Sequence, residues 1–360
     1  MKIIQIMPDF GLAGAETMVE NLASGLVAEG HDVLIISLYD LHTAITERLE
    51  NKGIKIEYLG KKRGFDPSVI LKMRKIIKKY QPDVIHTHRY VLPYVFLASM
   101  GLKIKRVHTV HSVAQKEQTK AGKTINKVLF QHFNVVPVAL SEEVQKTIQE
   151  VYGLPINRIP VVFNGIDLSR CIVKEDYARK ENFTVLHIGR FMNVKNHELL
   201  LRSFARFRGY HPDAMIQLLG DGELKENMMQ LAGQLNIADA VEFAGLQSNV
   251  YPWLHNADVF ILPSKFEGMP MTLIEAMGTG LPIIASDVGG IPDMLTDQKD
   301  AVLIEPKEEC IISALELIYS DEEKRKYLGR NARDRSAVFS EKTMAKRYID
   351  VYIDASGEEV

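Results

Sequence analysis

Apolar runs of strand length alternate with amphipathic helical stretches along almost the whole chain, and this alternation limits the fold more than any other feature. In the first half, runs at 2–7, 32–38, 54–59, 83–87, 106–110, 135–139 and 158–162 read as strands. The patterns at 14–29, 67–80, 91–101, 120–132 and 141–151 between them read as helices. Such alternation predicts a parallel sheet covered by helices on both faces, an α/β fold. After the turn dipeptide Asn164-Gly165, residues 166–182 are charged and aperiodic, and read as an interdomain connection. The pattern then restarts, with strands at 184–188, 214–219, 240–243, 258–262, 282–285 and 301–304. Helices are expected at 196–209, 223–236, 249–255, 271–278, 291–296, 307–319 and 321–337, and a last one over about 340–354. A chain of 360 residues accommodates two such domains.

The second half holds the densest chemistry. Asp258 to Leu262 is a buried-strand run, so Pro263 to Met269 is the loop leaving its end. Pro270 suits the first turn of a helix, which should run to about Met277 and stop at Gly278 and Gly280. Strand, glycine-bearing loop and helix N-terminus aim free N–H groups at an anion or a polyol. Glu267 lies in the loop and Glu275 one turn beyond Met271, so both carboxylates can face the crevice above the strand end. Carboxylates accept hydrogen bonds from sugar hydroxyls; the plainer reading is a helix start whose acidic residues favour the macrodipole. Gly189-Arg190-Phe191-Met192-Asn193-Val194-Lys195-Asn196-His197 likewise follows a strand and precedes a helix. Arg190 and Lys195 there could bind a diphosphate together with free N–H groups, or stand as two surface cations.

In the first half, Gly11-Leu12-Ala13-Gly14-Ala15-Glu16 leads from strand to helix, where glycines allow close approach to a ligand. Glu16 reads as a first-turn dipole residue in preference to a catalyst. His86 and His88 share a strand face, and His108 and His111 lie near the end of the next strand. No carboxylate or cysteine cluster accompanies them, so metal binding is disfavoured; His86 and His88 line an acceptor side or sit satisfied near the sheet edge.

The full pattern Ser-x-x-Glu-Gly-x-Pro-x(4)-Glu-Ala-Met-x-x-Gly-x-Pro from Ser264 to Pro282 resembles the donor-site signature of retaining, nucleotide-sugar-dependent glycosyltransferases of family 4. The resemblance covers nearly the whole chain, most specifically 184–296, and Leu218 to Glu223 and Phe243 to Leu246 also match it. It implies the GT-B fold: two doubly wound Rossmann-like domains with an interdomain cleft. On that reading 1–165 is the acceptor-side domain, joined by a terminal helix at about 340–360, and 166–339 binds the donor. The resemblance assigns catalysis to His111, Arg190, Lys195 and Glu267. His111 would touch the donor sugar near the reacting carbon. Donor binding falls to Gly14, Arg190, Lys195, Gly245, Leu246, Glu267, Gly268, Met269 and Glu275. The family usually has Gly-Gly-x-Glu where this chain has Ala13-Gly14-Ala15-Glu16, so close approach carries over at Gly14 only. Asp221 reads as a cap of the helix after it. An Asp-x-Asp metal motif is absent, which agrees with metal-independent chemistry and no cofactor.

The implied reaction is retaining transfer of a hexosyl group from a nucleotide diphosphate sugar, most simply a UDP-sugar, to a hydroxyl of a glycan or lipid-linked glycan. The competing readings are a non-catalytic nucleotide-sugar-binding regulatory subunit and a Rossmann-type dehydrogenase, although Gly11-x-x-Gly14 lacks the dinucleotide fingerprint. Residues 61–131 contain sixteen Lys or Arg and three acids (Asp66, Asp83, Glu117), so this stretch carries +13 and the rest −15. Without a nucleic-acid motif beside it, the charge suggests an anionic inner-leaflet membrane surface or, more plainly, a solvated basic face, and no nucleic acid. Lys61-Lys62-Arg63, Lys72, Lys75, Lys79, Lys103, Lys105, Arg106, Lys116, Lys120, Lys123 and Lys127 would form a basic collar. Two cysteines and an opening strand at Lys2 suggest a cytoplasmic protein, peripheral at the membrane.

Overall fold

A computed structural model of the chain describes residues 1–178 and 181–354. It divides into two units: Met1–Ile166 with the segment from Ser340, and Asp167–Phe339. In unit 1 the elements are β1 Lys2–Met7, α1 Gly14–Ala28, β2 Asp32–Ser37, α2 Ala44–Asn51, β3 Lys55–Tyr58, α3 Ser68–Tyr80 and β4 Val84–His88. They continue as α4 Leu92–Ser99, β5 Lys105–Val110, α5 Ala114–Glu117, α6 Lys120–His132, β6 Val135–Ala139 and α7 Glu142–Tyr152. Unit 2 comprises β7 Phe183–Ile188, α8 His197–Arg208, β8 Ala214–Leu219, α9 Lys225–Gln234, β9 Val241–Gly245, α10 Tyr251–Asn256 and β10 Val259–Leu262. It ends with α11 Met271–Thr279, β11 Ile283–Ser286, α12 Ile291–Met294, β12 Val302–Ile304, α13 Glu308–Ser320 and α14 Glu322–Ser336. The last helix, α15 Glu341–Asp354, packs on α1 of unit 1.

Each unit is a six-stranded parallel sheet, ordered β3-β2-β1-β4-β5-β6 in one and β12-β11-β10-β7-β8-β9 in the other. Numbered from its own first strand, each sheet reads 3-2-1-4-5-6, the doubly wound order. The alternation produces this order because strands such as Ile3-Ile4-Gln5-Ile6 and Val259-Phe260-Ile261-Leu262 are buried on both faces and need a helix over each. The core of unit 2 joins Val185, Ile216, Val259 and Ile261 of the sheet to Leu200, Phe204 and Phe207 of α8.

Three local expectations change. The run 158–162 forms only a bridge, Ala139 to Val161, because a short 3-10 turn at Ile156–Arg158 takes up the chain before it. Helix α2 arises from Ala44–Asn51, a segment with no long apolar stripe, where Thr43 and Thr46 build a capping box. Residues 167–178 are docked on unit 2: Lys174 N donates to Thr279 O at 2.8 Å, and Tyr177 Oη to Gly280 O at 2.8 Å.

Candidate functional site

Strand order in unit 2 reverses between β7 and β10, and the loops leaving two such neighbours are where a doubly wound sheet opens its ligand crevice. The loop after β7 runs from Gly189 to Asn196, and that after β10 from Pro263 to Pro270. Backbone and side chain join them. Lys265 N donates to Val194 O at 2.8 Å, Lys265 Nζ to Asn193 Oδ1 at 2.7 Å, and Asn196 Nδ2 to Pro263 O at 3.1 Å. The loops after β8 and β9 belong to the same frame, since Phe191 N donates to Asp221 O at 3.0 Å and Gly220 N to Gly245 O at 2.8 Å. Gly289, beyond β11, closes it: φ is +56°, and a Cβ there would stand 2.0 Å from Glu267 O. Any side chain at that position would push the β10 loop away.

Within this frame Lys195 Nζ donates to Glu267 Oε1 at 2.7 Å, and Ser264 Oγ donates to the same oxygen at 2.5 Å. Glu267 is 8% exposed, so its charge is balanced by the ammonium in place of bulk water. Oε2 bonds to no described residue and stays available as an acceptor. Asn196, at φ 61°, precedes α8 and gives it no side-chain cap, which leaves first-turn N–H groups open to an anion. Arg190 is exposed and its side chain has no partner among the described residues. Gly268 and the buried Met269 complete the β10 loop, while Gly245 and the exposed Leu246 end β9. Glu275, on α11 and largely buried, acts on a different set of groups. Burial first, and the Glu275 carboxylate second, push up the Tyr251 hydroxyl and the Cys171 thiol, the latter to about 12.

Two details of this region differ from expectation. Pro270 is the residue before α11, and the helix runs through Gly278 to end at the left-handed Gly280. Gly278 serves packing, because a Cβ there would lie 2.6 Å from Cys171 Sγ. Asp221 does not cap α9, which begins at Lys225; its Oδ1 accepts from Gly222 N at 2.8 Å.

Unit 1 has the same reversal between β1 and β4. Gly14 opens α1, and Ala13 before it supplies no side-chain cap, so these N–H groups are also open. Glu16 is more than a first-turn acid: it is buried and paired with Arg89 Nη1 at 2.7 Å. Burial raises its carboxyl and Arg89 opposes that shift. Arg89 itself sits at φ +59°, a conformation that costs a non-glycine residue on the order of 1 kcal/mol and often marks functional sites. His111 lies just beyond β5, where its backbone N–H donates to Glu117 Oε1 at 2.8 Å. Burial, then the neighbouring His108 and Arg89, hold its imidazole neutral with a pKa of about 3; burial pushes Glu117 up to about 8. His86 and His88 are satisfied, but they lie at the middle of the sheet and not its edge. Among the described residues no three His, Cys, Asp or Glu side chains gather as a metal cage would require.

The profile described as glycosyl transferases group 1 matches residues 172–335, and that described as glycosyltransferase family 4 matches residues 12–170. This chain belongs to the group 1 glycosyltransferases of family 4. An uncharacterised glycosyltransferase of Haemophilus influenzae is 28% identical over 334 residues, covering 91% of this chain and 92% of that protein. The UDP-Gal:alpha-D-GlcNAc-diphosphoundecaprenol alpha-1,3-galactosyltransferase of Escherichia coli is 28% identical over 312 residues, 80% of each chain. Among solved structures, Anabaena HepE in complex with UDP-glucose superposes with a TM-score of 0.86 at 19% identity, covering 98% of this chain and 100% of that one. The two parallel sheets are therefore those of the GT-B fold, and the chain is a transferase, which sets aside the dehydrogenase reading. In this glycosyltransferase Lys195 and Glu267 were each legible from their motifs, but their ion pair was not. The Glu16–Arg89 pair and Glu117 were not, because each depends on loops that meet only after folding.

Proposed function

We propose that this glycosyltransferase moves a hexosyl group, with retention of configuration, from a UDP-sugar to a hydroxyl of a glycan or lipid-linked glycan in polysaccharide assembly. The observation that carries the reading is the buried Lys195–Glu267–Ser264 cluster beside the uncapped start of α8. Arg190, Lys195 and the α8 N–H groups suit a diphosphate, and Oε2 of Glu267 suits a sugar hydroxyl. Gly14 is assigned to the donor phosphates on family resemblance. Gly245 and Leu246 flank the base, and Gly268, Met269 and Glu275 shape the sugar side. His111 is assigned to the sugar on family resemblance. As the anomeric C–O bond breaks, its electron pair leaves on the β-phosphate, and the cations meet that growing charge. The acceptor oxygen bonds to the same face of the carbon and yields its proton to the departing phosphate. No metal is needed, because protein cations stand where Mg²⁺ would. The names of the E. coli and Anabaena proteins, with their uridine donors, support the choice of base. Thermal shift tests it: UDP-sugars should raise the melting temperature in EDTA as much as in Mg²⁺. Stabilisation by GDP- or ADP-sugars alone, or only with Mg²⁺, would contradict it.

The second part of the proposal places unit 1 on an anionic bilayer, where a lipid-linked acceptor would lie. Several cations of the expected collar have structural duties. Lys61 is buried on Gly64 O, Lys72 Nζ donates to Leu59 O at 2.8 Å, and Lys123 Nζ to Gln115 O at 2.6 Å. Lys105 Nζ is drawn to Tyr352 O, and Arg106 is bound to Ser99 and Ile104. Lys75, Lys78 and Lys79 remain exposed on α3, on the same face as Leu71, which is 73% exposed. Helix α4 packs against both α3 and α6 and adds the exposed Leu97, while Ile125, Val128, Lys120 and Lys127 stand exposed on α6. Cations interleaved with exposed apolar side chains suit an anionic lipid surface. Among the described residues no helix is long and apolar enough to cross a membrane.

A further inference from the structure

A chain of hydrogen bonds runs through the centre of unit 1 from His111 to α15. His111 Nε2 lies 3.0 Å from His88 Nδ1, and His88 Nε2 lies 2.8 Å from Gln5 Oε1. Gln5 Nε2 donates to Tyr352 Oη at 3.1 Å. Beyond it, Tyr352 Oη is 2.8 Å from His86 Nδ1, His86 Nε2 is 2.7 Å from Thr109 Oγ1, and that hydroxyl is 2.8 Å from Tyr348 Oη. Gln5, His86, His88, Thr109, Tyr348 and Tyr352 are all fully buried. Burial lowers the pKa of His86 and His88 far enough to keep both rings neutral.

Donor and acceptor counting then orders the protons. The Gln5 carbonyl oxygen can only accept, so His88 Nε2 must carry the hydrogen. A neutral ring has one N–H, so His88 Nδ1 is a lone pair and can only accept, which puts the hydrogen of His111 on Nε2. Nδ1 of His111, which bonds to no described residue, is then a lone pair. On the other side, Tyr352 accepts from Gln5 and donates to His86 Nδ1, and His86 Nε2–H donates to Thr109. Turning the Gln5 amide over would reverse every donor in the chain and put the hydrogen of His111 on Nδ1. The structure has Gln5 Oε1 on His88 Nε2 and Gln5 Nε2 on Tyr352 Oη, which is the first order.

We propose that Gln5 and His88 are positioning residues that fix His111 in its Nε2–H tautomer, so that Nδ1 presents a lone pair to a ligand hydroxyl. The assignment of that hydroxyl to a sugar rests on the function proposed above; the tautomer does not. The other end of the Gln5 amide is held by Tyr352 of the last helix, α15.

The test is a long-range ¹H–¹⁵N spectrum of full-length protein labelled on histidine, without ligand, with His111 assigned by loss of its signals in His111→Gln. Wild type should show a protonated Nε2 and an unprotonated Nδ1 at His111. Gln5→Leu, which removes the acceptor, should lose this single-tautomer pattern. Gln5→Glu, which still accepts from both His88 and Tyr352, should retain it. An Nδ1–H tautomer or a mixture in the wild type would overturn the proposal even if no variant folds, as would an unchanged pattern in a folded Gln5→Leu. Because no donor or turnover enters the measurement, a failure here leaves the transferase reading standing, and the reverse also holds.

Discussion

Glu267 and Glu275 were paired by motif, yet their surroundings differ. Glu267 gives one oxygen to Lys195 and Ser264 and keeps the other as an acceptor. Glu275 lies on α11 in the field of Tyr251 and Cys171. If Glu275 accepts a hydroxyl of the donor, Glu275→Gln keeps the shape and weakens a charge-assisted bond. Donor affinity should then fall by roughly tenfold, about 1.4 kcal/mol, with the fold preserved. Calorimetric titration with a UDP-sugar measures this; unchanged affinity would return Glu275 to a packing and dipole role. Residue types and spacing made Arg190, Lys195, Glu267 and Glu275 legible because a loop and its helix are local in sequence. Gln5 and Tyr352, 347 positions apart, are joined only by tertiary docking, and no local pattern announces such a bond.

At the scale of elements, strand and helix were legible where periodicity was long, as in α3, α6 and all six strands of each sheet. The short α2 rests on a capping box, and the run at 158–162 lost its strand to a turn that propensity does not resolve. On helix α3 Lys72, Lys75, Lys78 and Lys79 are all exposed, and Lys72 Nζ also donates to Leu59 O. Each cation near an anionic leaflet is worth on the order of 1 kcal/mol. Changing Lys75, Lys78 and Lys79 to Glu should therefore weaken binding to anionic vesicles by more than a hundredfold at low salt, while Lys72→Gln, which removes one charge, should weaken it by about fivefold. Vesicle sedimentation gives the answer. Equal partitioning onto neutral and anionic vesicles, or none onto either, would rule out electrostatic docking.

Across the whole molecule, acid stability follows from neutral buried histidines. In unit 2, burial lowers His187 to about 4 and His197 to about 2. Below pH 6.5 the unfolded chain takes up protons there that the folded unit refuses, so stability is lost as pH falls from 6.5 toward those values. In unit 1, His86, His88, His108 and His111 act in the same direction. Glu117 opposes them: raised to about 8, it contributes stability at low pH that is lost as pH rises through 8. Trp253, the single tryptophan, lies in unit 2, so its fluorescence isolates the uncompensated case. Between pH 7.5 and 5.5 its urea transition should lose about 2.7 kcal/mol, roughly 1.3 per histidine. A midpoint that stays constant over that range would show the two rings titrating normally.

In the function proposed above, Lys195, braced by Glu267, meets the charge on a departing nucleotide. Nucleotide release from UDP-, GDP- and ADP-sugars by the purified enzyme, compared with Lys195→Ala at saturating donor, tests it most directly. The two side chains are 17% and 10% exposed, so removing the lysine leaves a mostly buried carboxylate and costs stability as well; the rates are compared on folded protein, with the urea transition of the variant measured beside them. Wild type should release UDP in the presence of EDTA, and Lys195→Ala should be slower by roughly a hundredfold or more, about 2.7 kcal/mol in the barrier. Release from Lys195→Ala at the wild-type rate, or no release from any of these sugars by the wild type, would contradict the account.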